Sequence, residues 1–241
     1  MRGAQKSTQA LAIEDQGDRT LIIRFGDSID PDIGMRCLSV AHALRQAKLP
    51  GVTDIVPSYT AVAIHYAPTG EDDSPTFTSL SQSIQQLIGK IPADTVVASR
   101  EVEIPVCYGG VHGPDLDAVA KHCGLTPQQV IDIHAAPGCM VYMLGFAPGH
   151  PYIGLLDERL SVPRKDVPRT AVPPGSVATA NRQTAIYPNV LPGGWSILGA
   201  TPLKLFDVAR HPSPAMLQPG DRVRFVPITE TEFDRLRGLQ T

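Results

Sequence analysis

Between Pro137 and Pro202 lie 10 of the chain's 23 prolines and 8 of its 21 glycines, in 66 of its 241 residues. Proline fixes φ and has no N–H, and glycine weakens any regular element, so no long helix can run through this span. What stands between the breaks is short and apolar: "MVYML", "AIYP", "WSILG", "LKLF" and, further on, "RVRFVPI". Many short strands punctuated by turns predict a barrel or sandwich. Ala135 to Leu156 carries no Asp, Glu, Lys or Arg, yet Pro137, Pro148, Pro151 and four glycines interrupt it. Those breaks argue against a membrane-spanning helix.

The first hundred residues read differently, as a compact α+β unit. "TLIIRF" predicts a strand, joined by a hairpin to "LAIE". A helix follows, capped by Asp30 with Pro31 in its first turn; Ile33, Cys37, Ala41 and Leu44 form its apolar stripe and Pro50-Gly51 ends it. "DIVP" and "AVAIHY" are two strands about the turn at Ser58-Tyr59, with Val62, Ile64 and Tyr66 on one face. A second helix covers about Ser79 to Gly89. With a strand at "REVEIPVCY" the order becomes the ferredoxin-like pattern of two split β-α-β units; that strand can equally begin the second domain. The expected division is a small α+β domain over 1–98 and a mainly-β domain over 99–241.

Two short helices open the second domain. Pro114 and Gly124 bracket the first, and Thr126, Pro127 and Gln129 spell a capping box for the second. Near the C-terminus, Thr229 and Glu232 suggest another capping box, with Phe233 and Leu236 packing back.

The chain is 42% hydrophobic, 19% charged and carries a formal charge of −3. That balance predicts a real core and argues against general nucleic-acid or membrane-surface binding. No signal-peptide core is visible at the N-terminus, so a cytoplasmic protein is expected. Cysteines 37, 107, 123 and 139 form no C-x-x-C pair; they read as free, partly buried thiols, and no metal site is expected.

P-loop, dinucleotide-fold, zinc-protease and serine-hydrolase signatures are all missing. The charges of the Pro/Gly-rich span lie between Asp157 and Arg182, five basic and three acidic. Prolines fix the backbone around Arg164 and Arg169, and rigidly held guanidinium groups suit carboxylate or phosphate; the plainer reading is a solvated loop with its own ion pairs. "PPGS" and "PGGW" are tight-turn sequences in which glycine supplies φ > 0, able to offer backbone N–H groups to an oxyanion or simply to turn a hairpin. Trp195, the sole tryptophan, is either a core anchor or a pocket wall. His134 falls on the apolar side of its helix, as a buried structural group would. His150, in the loop "GFAPGHPYIG", is better placed to exchange protons with a ligand.

"VEIPVCYGG…GPDL", "VYMLGFAPGHPYIGLLDERLSVPRKDVPRTAVPPGSVA", "QTAIYPNVLPGGWSILGATPLKLFD" and "PGDRVRFVPI" resemble, in this order, the PxpB/KipI family, also called allophanate hydrolase subunit 1 or the first half of a carboxyltransferase-type module. The resemblance implies a cyclophilin-like β-barrel after the α+β domain. It implies a PxpC/KipA-like partner and, with a PxpA-like hydrolase, an ATP-dependent 5-oxoprolinase whose ATP, with Mg, is bound by the complex. A KipI-like inhibitor of a sensor histidine kinase, or a subunit acting on urea- or allophanate-related substrates, are the alternatives; prolyl isomerisation is the least favoured. No biotin-carrier "MKM" occurs, so this chain would carry no biotin.

On these segments Arg164, Arg169 and His150 are the candidate catalytic residues. Phe146, Pro148, Gly149, Tyr152, Gly175, Ser176, Gln183, Tyr187, Gly193, Gly194 and Trp195 are candidates for holding substrate or nucleotide. Two positions depart from the family's usual wording: His150, where Phe is common, and Asn181-Arg182, where Gly-Gly often precedes the Gln.

Overall fold

A computed structural model describes residues 12–67, 75–92, 95 and 99–239. The chain divides into two compact units, Met1–Val97 and Ala98–Thr241; the boundary expected at residue 98 lies outside the described residues, as does Leu11 of the predicted hairpin.

In the first unit, β1 (Ala12–Asp15), β2 (Thr20–Arg24), β3 (Val52–Pro57) and β4 (Ala61–Tyr66) make one antiparallel sheet, in the order β1-β2-β4-β3. Two helices accompany it, α1 (Pro31–Ala47) and α2 (Phe77–Ile88). The Asp30 carboxylate accepts from the N–H groups of Asp32 and Ile33, and Lys48, in the left-handed conformation, ends α1 before Pro50 is reached. Thr76 and Ser79 cap α2 reciprocally, which starts it two residues ahead of the expected Ser79. Period-two burial on β2 and β4 sets Leu21, Ile23, Val62, Ile64 and Tyr66 against Cys37, Leu44, Leu80 and Ile84. Among the described residues, the strand needed to complete a ferredoxin-like pair of split units is not in this sheet. β1 fills the edge beside β2, and β5 (Glu101–Tyr108) belongs to the second unit.

After β5 come α3 (Leu116–Cys123), α4 (Pro127–His134), β6 (Cys139–Leu144), β7 (Pro151–Gly154), β8 (Arg169–Val172), β9 (Ser176–Ala180), β10 (Gln183–Ile186), β11 (Leu191–Gly193), β12 (Ser196–Ala200), β13 (Arg222–Pro227) and α5 (Glu230–Gly238). Seven strands close into a barrel in the order β10-β7-β6-β13-β5-β12-β9, while β8 and β11 pair separately as a two-stranded flap. Ile104, Val106, Val141, Ile153, Val177, Ile186, Leu198 and Phe225 belong to the larger core; burying each such side chain contributes about 1.5–3 kcal/mol.

All five residues of β9 are buried. Val177 joins the larger core, whereas Ala178 and Ala180 join a second cluster with Ala185, Val172, Tyr187, Trp195 and Ile197. Alanines on this second face leave room for the flap residues Val172 and Leu191 to lie close.

Thr126 and Gln129 form the capping box that their spacing announces. At α5 only half of one forms: Thr229 accepts from the N–H of Glu232, but the Glu232 carboxylate takes Arg235 instead. His134 is fully buried between Tyr108 and Thr184. The Thr184 hydroxyl donates to the carbonyl of Ala178, so it accepts from His134 Nε2–H, and Nδ1 accepts from the Tyr108 hydroxyl. Both nitrogens are satisfied in the neutral ring, and burial pushes its pKa down to about 3. The four cysteines are free, three of them buried. Among the described residues no helix is long and apolar enough to cross a membrane.

Candidate functional site

The stretch "GFAPGHPYIG" divides in two. Its second half is β7, which starts at Pro151, where a missing N–H is tolerated at a strand's first residue. Its first half, 145–150, is a tight connection from β6, closed by Gly145 N–H to the His150 carbonyl and His150 N–H to the Ala147 carbonyl, each at 3.1 Å. Gly149 takes φ +76° and Phe146, unusually for a bulky residue, φ +71°.

This loop holds one wall of a cavity of about 260 Å³; the rest comes from β7, the residue after β10, the flap and its approaches. Its lining is Phe146, His150, Tyr152, Arg164, Pro168, Tyr187, Pro192, Gly193, Gly194 and Trp195. The aromatic rings form a chain of contacts, three edge-on and one, His150–Tyr152, tilted. His150 lies 5.3 Å from Phe146, 5.0 Å from Tyr152 and 5.2 Å from Tyr187 between centroids, and Tyr152 lies 6.0 Å from Trp195. The Arg164 guanidinium sits over the Trp195 ring at 5.8 Å, a cation–π geometry. Trp195 therefore fills both of its expected parts, being 7% exposed and also a wall.

Burial raises the pKa of Tyr152 and Tyr187, so both phenols stay protonated at neutral pH. Burial pushes the His150 imidazole down to about 4 against a smaller upward pull from its own backbone, and its Nδ1 is buried without a hydrogen-bonding partner. Among the described residues Arg164 is the sole cation on this wall, and no carboxylate lines it.

The neighbouring basic residues point elsewhere. Lys165 Nζ and Arg169 Nη2 each lie 2.9 Å from Asp115 Oδ1, and Asp115 Oδ2 accepts from Ile197 N–H at 2.7 Å. Burial alone would raise the Asp115 carboxyl, but the bonds from Arg169, Lys165 and the Ile197 amide outweigh it and hold the pKa below the ordinary value. Asp115 thus ties both flanks of the Arg164–Pro168 segment to the start of α3 and to β12, while Lys165 N–H donates to the Gly194 carbonyl.

Eight of the sequence candidates share the cavity: Phe146, His150, Tyr152, Arg164, Tyr187, Gly193, Gly194 and Trp195. Six do not line it. Pro148 and Gly149 shape the loop beside it, and Arg169 faces Asp115. The Gly175 N–H goes to the Tyr187 carbonyl and that of Ser176 to the Pro173 carbonyl, so those amides are engaged within the chain. Gln183 opens β10 opposite Ala180 and Gly154. Gly193 and Gly194 do not take positive φ, in contrast to Gly175 at +80°. Asn181 and Arg182 both take left-handed conformations in the β9–β10 turn, and Arg182 Nε donates to the Leu156 carbonyl. Pro168 and Pro192, which the sequence marks only as backbone-fixing and turn residues, also line the cavity, and Asp115 joins the site without any mark in its local sequence. An excess of cations in one loop is the available sign that a carboxylate must meet it.

The chain is similar to known proteins in both sequence and fold. The family model described as "Carboxyltransferase domain, subdomain C and D" matches residues 11–217. The 5-oxoprolinase B subunit of Bacillus subtilis (strain 168) is 41% identical over 229 residues, 92% of this chain and 94% of that protein. Among solved structures, TTHA0988 superposes with a TM-score of 0.74 at 37% identity, over 87% of this chain; the chain spans only 40% of that longer one. The Kluyveromyces lactis urea carboxylase gives a TM-score of 0.74 at 20% identity, over 93% of this chain and 22% of that one, a likeness of fold alone.

Proposed function

The chain belongs to the carboxyltransferase-domain family of subdomains C and D, together with the 5-oxoprolinase B subunits, and on that premise we propose that it is a subunit of an ATP-dependent 5-oxoprolinase. In this reading it works in the cytoplasm with a PxpC/KipA-like subunit and a PxpA-like hydrolase, and the complex opens 5-oxoproline to glutamate. Residues 1–98 are the small α+β domain and 99–241 a cyclophilin-like barrel domain.

The make-up of the cavity carries this reading: one guanidinium set on a wall of aromatic rings. 5-Oxoproline is a nearly flat five-membered lactam bearing one carboxylate. Arg164 suits the carboxylate, with which a guanidinium can form two parallel hydrogen bonds, and the rings of Tyr152, Tyr187 and Trp195 suit the lactam faces. A volume of about 260 Å³ falls below the ~300–1,000 Å³ of pockets for drug-sized ligands, as a small metabolite requires.

Lactams are resonance-stabilised, and phosphoryl transfer to the lactam oxygen would supply a leaving group. The cavity does not fit a nucleoside triphosphate with its Mg, for it offers a single cation and no carboxylate. ATP and Mg are therefore assigned to the complex as a whole, and this chain's residues to holding and orienting the substrate and excluding water.

A second reading, a KipI-like inhibitor of a sensor histidine kinase, draws on exposed Phe146, on the cavity lining, and exposed Val167 and Val190, one and two residues before the lining prolines Pro168 and Pro192. Co-expression with PxpC-like and PxpA-like subunits separates the two. The first expects 5-oxoproline-dependent ADP release that needs all three chains, with Arg164→Ala raising KM at least ~tenfold through loss of a charge-assisted contact. Unchanged KM and kcat in Arg164→Ala would remove the substrate reading of this cavity. A stable kinase complex without turnover would favour the second.

A further inference from the structure

We propose that His150, standing where Phe is common in the family, is a specificity-determining residue of this chain whose imidazole adds a hydrogen bond to the amide group of the bound lactam, sharpening the preference over ligands of the same shape that lack the amide. The inference rests on the substrate reading above and adds to it which atoms are recognised.

Three observations lead there. His150 is 3% exposed, and its Nδ1 is buried without a partner, although buried polar groups in folded proteins are nearly always hydrogen-bonded. Around the ring stand Phe146, Tyr152 and Tyr187, and all four side chains line the same cavity. The imidazole thus stands inside an aromatic cage, beside a space of metabolite size that its ring helps to line. A hydrogen-bonding group that is otherwise unpaired in such a place discriminates strongly, because a ligand without the matching group leaves it unpaired.

Position is the second point. The loop is closed by hydrogen bonds at both the N–H and the carbonyl of His150. Phe146 is held at φ +71° with its ring edge-on to the imidazole, and strained backbone of this kind gathers at ligand-binding sites. The ring is preorganised rather than free to seek another partner.

The third point is charge. Burial keeps His150 neutral at physiological pH, so the ring offers one donor and one acceptor. One of these can pair with a neutral secondary amide, which has its own donor and acceptor; the two ring nitrogens diverge, so a single amide meets only one of them. The facing side chains Tyr152 and Tyr187 remain uncharged, and Arg164 on the same wall is left for the carboxylate. A neutral imidazole so held is a weak acid and a weak base, which favours recognition over proton transfer.

The test is isothermal titration of the purified three-subunit complex with 5-oxoproline and with cyclopentanecarboxylate, which keeps the ring and the carboxylate but has no amide. The wild-type complex is expected to prefer 5-oxoproline by at least ~tenfold. His150→Phe, which puts the family's common residue in the cage, should weaken 5-oxoproline binding and reduce the preference without abolishing it. His150→Gln, which retains a donor and an acceptor, should restore part of it. Should His150→Phe keep the wild-type preference while wild type binds 5-oxoproline, the role of His150 is overturned and the substrate reading stands. If wild type binds neither compound, both are overturned.

Discussion

Gly193 shows how one missing side chain shapes the cavity. It lies in β11 opposite Arg169 without a positive φ, yet a Cβ there would overlap the hydroxyl of Tyr187, which is itself buried. Gly175 reads from sequence as the same kind of turn glycine. There the reasons are conformational as well as steric: φ is +80° and a Cβ would meet the Thr201 carbonyl. Gly193→Ala is expected to destabilise by about 1–3 kcal/mol, the usual cost of overpacking, as read by urea unfolding. Adding Tyr187→Phe should recover part of the loss, since it removes the nearest overlapping atom. A sequence shows that glycine is present; whether it is there for φ or for space depends on a neighbour such as Tyr187, and a close neighbour in sequence gives no hint of the overlap.

At the scale of elements, the segment carrying Arg164 has little structure of its own and is held by the anchor at Asp115. Asp115→Asn isolates that anchor, because the amide oxygen can still accept from Ile197 N–H while Lys165 and Arg169 lose their counter-charge. We expect a loss of about 2 kcal/mol by urea unfolding. That is below the ~3–5 kcal/mol typical of fully buried pairs, since both cationic side chains keep 31% exposure. Affinity for 5-oxoproline should also fall, a change that a residue serving only to start α3 would not produce. Much at this scale is legible in the sequence. Asp30 before Pro31 and Thr126 before Pro127 announce their helices, because capping is a matter of a few adjacent residues. Glu232 carries the same signature at α5 but is drawn to Arg235 instead. The role of "PYIG" as β7 is hidden by its proline and glycine, and it is a strand because β6 and β10 flank it. Asp115 is invisible as part of the site, lying 54 residues before Arg169, one of the cations it holds.

For the whole molecule, two buried neutral histidines set a common pH dependence. The folded-state pKa of His134 is pushed down to about 3 and that of His150 to about 4, both by burial. The unfolded chain therefore binds protons that the folded chain refuses. Stability is full above about pH 6.5, the ordinary histidine value, and falls as pH drops, by up to ~1.4 kcal/mol per pH unit for each histidine. Comparing urea midpoints at pH 7 and pH 5 should show the loss. His134→Gln and His150→Phe should each flatten the dependence, and together remove most of it. The division into an α+β unit and a barrel is legible from the change in proline and glycine density. The destination of residues 101–108 is not, because a strand of that pattern fits either sheet and its deciding partner lies far along the chain.

That partner has a consequence for how the molecule comes into being. β5 runs parallel to β13, with Glu101 opposite Arg222, 121 residues later. As the chain leaves the ribosome, the first unit can assemble once residue 97 has emerged, since the unit ends there and the carbonyls of Pro92 and Thr95 accept from Arg36 and Ser39 of α1. The barrel cannot: one edge of β5 stays open until residues 222–227 appear. Long-range parallel pairings form slowly, and an apolar strand edge left open invites association with other chains. The nascent protein is thus most vulnerable during the making of its own cavity, when the walls exist and the seam that closes the barrel does not.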